Sequence, residues 1–481
     1  MSELSLRMTD GTHIVVPASL DAITTYVILE QEKWFEKETT FLERWLKPGM
    51  KVIDVGANLG VYSLPMARLV GSGGHVFSYE PASETQRLLR ISKKKNRANN
   101  LHVIAAALSD GERDGHLVLG SSSELNTLDG AGSGETVRIT SLDAEEKTRD
   151  WGHIDFLKID AEGEEERILA GAKAFFTHQS PLVMFEVKAG DKPNENLRAA
   201  FVTNGFELYR LLGAAPVLVP LGPDEPIDPF ELNLFAAKPD RAASLEGEGL
   251  LVRTVPEWAL NDEARAKALD AIRTQAFAPT FAQLLSDTVP VNPAYRDALA
   301  AYAVWRSTDV ALPERYAALR FACDTLTALC EQDASLARLS TLARIAWEIG
   351  RRAVAVSVLK LLADILRRGT GRMEEPFWPA NPRFDTISPG AHVMEWFVVQ
   401  ALAQFEQAAA FSSMFGQSGI DIDWLSQQPF ASAEIERRRI LRRARVGQKM
   451  EVSQRLLVDA ADHVNAESWR GGLVPNAIVR R

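Results

Sequence analysis

The stretch Lys51-Val-Ile-Asp-Val-Gly-Ala-Asn-Leu-Gly60 joins a strand, a turn and the start of a helix. Its first five residues form a short apolar run that is typical of a buried strand. Two glycines four residues apart, Gly56 and Gly60, predict a turn, and apolar residues at helical spacing follow them. This order is the beginning of a doubly wound α/β domain, which places a nucleotide-like cofactor at such a turn.

The turn departs from the dinucleotide fingerprint Gly-x-Gly-x-x-Gly, in which bare backbone approaches a pyrophosphate at a helix N-terminus. Here the pattern is Asp54-x-Gly56-x-Asn58-x-Gly60. A carboxylate at the end of the strand would repel a pyrophosphate, but it suits a positively charged cofactor. S-adenosylmethionine (SAM) carries an ammonium and a sulfonium and no phosphate, so these residues favour SAM over NAD.

Composition limits the class of protein. With 481 residues the chain is long enough for two or three domains, and its 46% hydrophobic and 25% charged residues are ordinary for a globular protein. A net charge of −10 argues against a protein that coats nucleic acid. We expect no secretory signal, no membrane span and a cytoplasmic location. Cys323 and Cys330, seven residues apart in a helical pattern, are too distant to form a disulfide.

Strand and helix patterns alternate from residue 51 to residue 237, which predicts one α/β domain over residues 1–240. A hairpin over residues 4–16 and a helix over residues 22–46 are predicted before it. From 241 to 481 helical periods dominate, so we expect an all-α domain there. The predicted strands cover residues 51–55, 75–79, 101–106, 116–119, 136–139, 154–160, 181–187, 206–212 and 232–237.

Acidic residues follow several of these strands. Glu80 lies twenty residues beyond Gly60, where doubly wound folds place the acid that binds ribose hydroxyls; the alternative is a surface acid that caps the next helix. Asp160 and Glu162 follow the strand at 154–160, and Glu186 ends the strand at 181–187. Carboxyl ends of parallel strands share one edge, so we expect these side chains to meet there.

Three further segments leave alternatives open. The Ser/Gly-rich residues 120–134 are either a lid over the active site or a plain hairpin loop. Residues 335–366 can be laid on the template of a tetratricopeptide repeat, and antiparallel helix pairs produce the same pattern by packing alone. The basic residues 437–445 predict a solvated helix face, with an anionic partner such as a charged glycan as the alternative.

A family likeness rests on three motifs: Val52-Ile-Asp-Val-Gly-Ala-Asn-Leu-Gly60, Ser141-Leu-Asp143 and Ile154-Asp-Phe-Leu-Lys-Ile-Asp-Ala-Glu-Gly163. Together they resemble the FkbM family of SAM-dependent methyltransferases, over about residues 35–237. The resemblance implies a class I methyltransferase fold and transfer of a methyl group to a hydroxyl of a sugar, glycan or natural-product acceptor. The helical half lies outside the resemblance, and we expect it to offer a surface for a protein partner or for self-association.

The resemblance also implies which residues hold SAM. Asp54, Gly56 and Gly60 of the first motif would line the methionine end, with Asn58 in the same turn. Glu80 would bind the ribose, and Ala107-Leu108 would flank the adenine. The implied cofactor-binding residues are Asp54, Gly56, Ala57, Asn58, Gly60, Glu80, Pro81, Ala107, Leu108 and Asp160.

Methyl transfer to an alcohol requires alignment of the acceptor oxygen and removal of its proton. Asp160, Glu162 and Glu186 are the candidate bases. The same carboxylates could bind Mg²⁺, but the run Asp-Ala-Glu-Gly differs from the Asp-Ala-Asp-Lys of metal-dependent relatives, so metal-free catalysis is favoured. His153 and His116 are weaker candidates. An NAD-linked oxidoreductase and a non-catalytic methyltransferase-like scaffold remain as alternatives.

Overall fold

The computed structural model describes residues 2–118, 120, 123, 126–129, 134–189, 192–222, 225–369, 371–448 and 450–470. Apolar runs form the central strands, and amphipathic segments form helices on both faces of the resulting sheet. The strands are β1 (Glu3–Arg7), β2 (His13–Pro17), β3 (Lys51–Val55), β4 (His75–Tyr79), β5 (Leu101–Ile104), β6 (Ala107–Leu108), β7 (Arg113–Val118), β8 (Thr127–Asp129), β9 (Glu135–Thr140), β10 (Phe156–Ile159), β11 (Leu182–Glu186), β12 (Lys188–Ala189), β13 (Lys192–Pro193), β14 (Glu207–Leu211), β15 (Leu218–Pro220) and β16 (Asn233–Ala237).

Helices connect these strands and form the C-terminal half. Three short 3-10 turns, Ala278–Phe281, Pro382–Thr386 and Gln454–Leu457, lie among them. The α-helices are α1 (Ile23–Gln31), α2 (Glu38–Trp45), α3 (Ser63–Val70), α4 (Ser83–Lys95), α5 (Leu142–Arg149), α6 (Glu165–Ala170), α7 (Lys173–His178), α8 (Glu195–Thr203), α9 (Pro239–Gly247), α10 (Asp262–Ala266), α11 (Asp270–Arg273), α12 (Pro293–Arg306), α13 (Leu312–Gln332), α14 (Leu336–Ile349), α15 (Arg352–Arg368), α16 (Val393–Ala408), α17 (Ile422–Ser426), α18 (Ala433–Arg445) and α19 (Ala466–Arg470).

An eight-stranded sheet has the order β15-β14-β16-β11-β10-β3-β4-β5. Strands β11, β10, β3, β4 and β5 are parallel, and β16 is inserted antiparallel between β11 and β14. Strand β15 adds an antiparallel edge beside β14. A reversed strand in the position of β16 is the arrangement of class I methyltransferases, so the expected fold class is confirmed. A second sheet, β6-β9-β7-β8, lies after β5 and carries the segment expected at the adenine.

The prediction of one continuous helix over residues 22–46 is wrong. The structure divides it into α1 and α2, and the connecting residues 32–37 are not helical. Glu32 ends α1 in the left-handed conformation, with φ 58°, which non-glycine residues adopt only where their surroundings hold them there. Both Glu32 carboxylate oxygens accept backbone N–H groups, from Val464 and Asn465, so a distant segment fixes this break.

The C-terminal half is helical, as expected. Helices α14 and α15 form an antiparallel pair. Gly350 ends α14 in the left-handed conformation, with φ 89°. Whether this pair is a true repeat stays a prediction, as does the boundary at residue 240. Within the described residues, no helix combines the length and the apolar composition that a membrane span requires.

The two halves share an apolar core. Side chains of the N-terminal hairpin, α1 and one face of the main sheet pack in a single cluster with Ile440, Leu441 and Trp469 from the C-terminal end. The solvated face expected for residues 437–445 is wrong at Arg437 and Arg438, which are buried at 2% exposure. They form ion pairs with Glu32 and Glu30, respectively. The basic helix therefore joins the halves.

Candidate active site

A cavity of about 900 Å³, counting its space open to solvent, lies at the carboxyl edge of β3, β4 and β10. Carboxyl ends of parallel strands meet there, as the alternation of strands and helices requires. All the residues implied to bind the cofactor line this cavity except Gly60. Those that do are Asp54, Gly56, Ala57, Asn58, Glu80, Pro81, Ala107, Leu108 and Asp160.

The turn after β3 owes its shape to backbone conformations that favour glycine. Gly56 and Gly60 have φ of 74° and 90°, and Asn58 has φ 48°. A Cβ atom at Gly56 would lie 1.8 Å from the carbonyl oxygen of Asp160, whereas one at Gly60 would meet Leu89 of α4. Gly56 therefore lets the turn approach the end of β10, and Gly60 lets it approach α4.

The backbone N–H groups of this turn are used within the protein. Gly56 and Ala57 both donate to the carbonyl oxygen of Tyr79, at 3.1 and 3.0 Å. Asn58 donates to Glu80 Oε2 at 2.9 Å. In a dinucleotide site such groups face the pyrophosphate. Here the corresponding donors are already engaged, and the turn does not form a phosphate site.

Glu80 closes the far side of the turn. Its Oε1 accepts the N–H of Ala82 at 2.8 Å, while Oε2 accepts that of Asn58. Burial raises the pKa of Glu80 to about 7, although both N–H groups act in the opposite direction. A carboxylate oxygen has a second lone pair, so each oxygen keeps capacity for a ligand hydroxyl. The placement agrees with a ribose-binding role, which stays a prediction.

A buried lysine links the ends of β3 and β10. Lys158 Nζ lies 2.7 Å from Asp160 Oδ2 and 3.8 Å from Asp54 Oδ1. Burial disfavours the charged lysine, but the two carboxylates outweigh this effect and raise its pKa. Asp54 Oδ2 accepts the Ser63 hydroxyl at 2.5 Å, and burial raises the pKa of Asp54. Asp160 keeps 33% of its side chain exposed towards the cavity.

The three candidate catalytic acids come together. One oxygen from each of Asp160, Glu162 and Glu186 lies within 4.8 Å of the others. Asp160 and Glu162 line the cavity itself, and Glu186 stands behind them at the end of β11. Burial, followed by the charges of Asp160 and Glu162, raises the pKa of Glu186 to about 9. Glu186 is therefore protonated at neutral pH.

Two further residues of the cavity, which the sequence does not mark, come from the break between α1 and α2. Trp34 and Glu36 line the cavity, although a continuous helix was expected there. Glu36 Oε2 accepts hydrogen bonds from the Tyr62 hydroxyl and from Asn233 Nδ2. Burial and the charge of Asp160 raise the pKa of Glu36. Lys158 belongs to the third motif, but the sequence alone does not assign it a role. Its position between Asp155 and Asp160 in the sequence is the feature that could have indicated one.

The second sheet covers the side of the cavity where the resemblance implies the adenine. Ala107 and Leu108 in β6, Leu117 in β7 and Leu128 in β8 contribute apolar walls. Part of the Ser/Gly-rich segment forms β8, antiparallel to β7, and Ser123 and Asn126 also line the cavity. The rest of that segment lies outside the described residues. The choice between lid and hairpin loop therefore stays a prediction.

Neither histidine candidate is placed to act. His153 Nε2 lies 3.4 Å from Asp155 Oδ1, just before β10 begins, so it is at the opposite edge of the sheet. His116 belongs to β7 and does not line the cavity. Both alternatives lose support, and the carboxylates remain.

Comparison with known families agrees with this geometry. Residues 54–208 match the family model described as "Methyltransferase FkbM domain". The match confirms the family resemblance drawn from the sequence, and it ends well before the C-terminal helices.

Individual relatives match smaller parts. The chain is 39% identical over 66 residues to a protein-L-isoaspartate O-methyltransferase from Methanothrix thermoacetophila, spanning 14% of this chain and 30% of that relative. A solved methyltransferase FkbM from Methylobacillus flagellatus KT gives a TM-score of 0.26 at 16% identity, over 39% of this chain and 43% of that one. A SAM-dependent O-methyltransferase from Thermotoga maritima gives 0.24 at 19% identity, over 42% and 64%. TM-scores this low are not evidence for the fold, which is assigned from the strand order.

Proposed function

We propose that the protein is a SAM-dependent methyltransferase that transfers a methyl group to a hydroxyl of a small-molecule or glycan acceptor. The observation that carries the proposal is the cavity at the carboxyl edge, because it gathers the residues expected to bind SAM around an acidic wall. The family match over residues 54–208 supports methyl transfer. The choice of oxygen as acceptor atom rests on the resemblance.

The residues present fit SAM better than NAD. The cavity wall carries the carboxyl groups of Asp54, Glu80 and Asp160 against the single ammonium of Lys158, so its potential suits a cationic ligand. Among the described residues, Asn58 Oδ1 is buried without a hydrogen-bond partner, and so offers an acceptor to a ligand ammonium. The N–H groups of Gly56, Ala57 and Asn58 are engaged within the protein and are not available to a pyrophosphate. Asp54 and Asn58 would thus hold the methionine end.

Other walls suit the rest of the cofactor. Glu80 would accept ribose hydroxyls through the remaining lone pairs of its oxygens. The apolar side chains of Pro81, Ala107 and Leu108 would hold the adenine in place. When bound, SAM supplies a methyl group activated by a positively charged sulfur.

Asp160 is the best placed of the three acids to take the proton. Its carboxylate lies on the cavity wall, and the hydrogen bond from Lys158 Nζ fixes its orientation. Glu186 is protonated at neutral pH and cannot accept a proton there. Asp160 would take the proton of the acceptor hydroxyl as that oxygen becomes methylated. Glu162, also on the wall, is the alternative base.

Calorimetry separates the cofactors. The purified chain should bind SAM and not NAD, and Asp54→Asn should weaken SAM binding because it removes a negative charge from the wall. Asp160→Asn also removes a negative charge from the wall, so it should bind SAM somewhat more weakly, but at saturating SAM it should still lose turnover. The matched control is Asp155→Asn on the amino side of β10, whose carboxylate accepts the N–H of Lys51 at 3.0 Å. Absence of SAM binding in the wild-type chain would overturn the proposal.

The acceptor requires a different measurement. Deletion of the gene should cause one metabolite or glycan to lose the mass of one methyl group, and the purified chain with SAM should restore it. Restoration by Asp160→Asn would reassign the base to Glu162.

A further inference from the structure

A second cavity lies where the two halves of the chain meet. It measures about 580 Å³, counting its space open to solvent. Its walls come from the break between α1 and α2, the residues before β16, the turn between α14 and α15, and the segment after α16. The lining includes Phe35, Glu36, Phe230, Leu232, Arg352 and Phe411.

The junction cavity is firmly built. Gly213, after β14, donates its N–H to the carbonyl oxygen of Glu348 in α14 at 2.9 Å. A Cβ atom at Gly213 would lie 2.1 Å from the carbonyl oxygen of Trp347. Asp228 joins the halves a second time, since its Oδ2 accepts the N–H of Ala353 at 2.9 Å. The helical half is therefore part of this wall, and its side chains are held in position.

The junction cavity borders the cofactor cavity. Glu36 lines both, so the two cavities share part of one wall. The Tyr62 hydroxyl and Asn233 Nδ2 hold Glu36 in that position. A molecule in the junction cavity could therefore present a hydroxyl past Glu36 towards Asp160.

Arg352 gives the junction cavity a specific chemical character. Its guanidinium carbon lies 4.3 Å from the ring centroid of Phe411 and 4.6 Å from that of Phe230. Its Nε donates to the carbonyl oxygen of Ala408 at 2.9 Å. No carboxylate of the described residues lies within 4.0 Å of this guanidinium, and its two terminal amino groups have no hydrogen-bond acceptor among them.

The acids of the same wall are committed elsewhere. Asp228 accepts two backbone N–H groups, from Phe230 and Ala353, and Glu231 pairs with Lys37 Nζ at 2.9 Å. Burial raises the pKa of Glu38 to about 8, so it carries little charge at neutral pH. Arg352 is half-buried, and the charges of Asp228 and Glu231 act on it without forming an ion pair, so its charged form loses hydration without a direct partner. Burial indeed lowers the pKa of Arg352 to about 10.

We propose that the junction cavity is the acceptor pocket of the methyltransferase, and that its acceptor is a small hydroxylated ring compound with one anionic group, a carboxylate or a phosphate, which pairs with Arg352. This inference rests on the proposed function. The ring lies against the faces of Phe35, Phe230 and Phe411, and the helical half selects the acceptor. Arg352 is a specificity-determining residue, because it contacts the acceptor away from the reacting oxygen.

The test uses calorimetry of the full-length chain, saturated with SAM's product S-adenosylhomocysteine, with three probes. These are 4-hydroxybenzoate, 4-hydroxyphenyl phosphate and the neutral isostere 4-hydroxybenzamide. At least one anionic probe should bind the wild-type chain more tightly than the amide. Arg352→Met should weaken that probe roughly 30-fold and leave the amide unchanged, since loss of one partner of a desolvated charge pair costs about 2 kcal/mol or more.

Arg315→Met is the matched control. Arg315 also donates its Nε to a backbone carbonyl, that of Trp305, and lies 5.1 Å from a ring centroid, but it is outside the junction cavity. It should leave all probes unaffected. Leu232→Trp fills the pocket from another wall and should weaken all three probes, which keeps the test decisive if Arg352→Met does not fold.

The outcomes separate the two proposals. A chain that binds no SAM refutes the methyltransferase function. A chain that binds SAM but no probe, or that binds acid and amide equally, refutes the junction pocket alone. An equal loss in Arg352→Met and Arg315→Met also refutes it. Preference for the benzoate or for the phosphate identifies the anionic group.

Discussion

A Cβ atom added to Gly56 would lie 1.8 Å from the carbonyl oxygen of Asp160. The turn after β3 and the end of β10 are therefore in backbone contact, which brings Asp54 of the cofactor turn within reach of Lys158 and Asp160. Asp54 and Asp160 are more than a hundred positions apart in sequence. They lie on one wall of the cavity, and Gly56, which has no side chain, permits the backbone contact between their two segments.

Gly56→Ala should destabilise the chain beyond the cost of its backbone conformation. The left-handed conformation alone costs a non-glycine residue about 1–2 kcal/mol. The clash is with backbone, which cannot move aside as a side chain can, so a further 1–3 kcal/mol or so is expected from overpacking. Gly205→Ala is the control, because Gly205 has φ 80° and open space around its Cβ position. Equal losses in urea unfolding of both variants would contradict this account.

SAM affinity should rise with pH through the ionisation of Glu80. Its pKa is raised to about 7, chiefly by burial, and the ionised form is the better acceptor for hydroxyls and the better partner for a cation. Between pH 6 and pH 8 the dissociation constant measured by calorimetry should fall by up to about tenfold.

The Glu80→Gln variant should show no such change with pH, because the amide does not ionise. Glu84→Gln in the exposed first turn of α4 is the control and should keep the wild-type pH profile. A pH dependence that survives in Glu80→Gln would assign it to another group.

Glu186 should make the folded chain less stable as pH rises. Its folded-state pKa, about 9, exceeds its ordinary value of 4.5, so the folded state holds a proton that the unfolded state has released. The resulting stabilisation is complete below about pH 4.5 and is lost as pH rises to 9 and above. Each pH unit inside this window contributes up to about 1.4 kcal/mol, and sharing of the proton with neighbouring acids reduces this amount.

The Glu186→Gln variant should lose this dependence, so that its free energy of unfolding exceeds that of the wild type by more at pH 8 than at pH 6. Glu207→Gln is the control: hydrogen bonds from Arg253 lower the pKa of Glu207, so its difference from the wild type should be constant between pH 6 and pH 8. If the difference between Glu186→Gln and wild type is constant with pH, Glu186 is ionised in the folded chain.

Removal of divalent cations should leave methyl transfer unchanged. Asp160, Glu162 and Glu186 could supply hard oxygen ligands, but Lys158 Nζ already lies 2.7 Å from Asp160 Oδ2 and opposes a second positive charge there. Turnover should survive treatment with EDTA and gain nothing from added Mg²⁺. Activity lost to EDTA, restored by Mg²⁺ and requiring more Mg²⁺ in Glu162→Gln would establish a metal site instead.

Strand positions could be predicted because apolar runs of four to six residues, bounded by turn residues, are sufficient to form the centre of a parallel sheet. The acidic wall of the cavity could be predicted from these strands, since Asp54, Glu80 and Asp160 each lie at the end of a strand. Short edge strands such as β15 were missed, because its residues lie among prolines that favour a loop interpretation.

Residues whose place depends on distant partners could not be predicted. Glu36 reaches the cavity only because Glu32 breaks the N-terminal helix, and no glycine or proline marks that break. The partners that stabilise it, the N–H groups of Val464 and Asn465, are more than four hundred residues away in sequence. The arginines of α18 likewise have the pattern of a solvated helix, and their burial follows from acids on α1.

Arg438→Met should be strongly destabilising, because it leaves acids of the junction between α1 and α18 without their cation. Arg438 Nη2 lies 3.4 Å from Glu30 Oε1, and its Nε lies 3.0 Å from Glu434 Oε1. Loss of one partner of a buried pair costs about 3–5 kcal/mol. Arg443→Met, which removes an exposed pair on the same helix, should cost about 1 kcal/mol or less.

The double variant Glu30→Gln, Arg438→Met tests whether the two residues depend on each other. Its free energy of unfolding in urea should regain part of what Arg438→Met loses, since a neutral amide is cheaper to bury than a lone carboxylate. Strictly additive losses would show that Glu30 and Arg438 do not depend on each other.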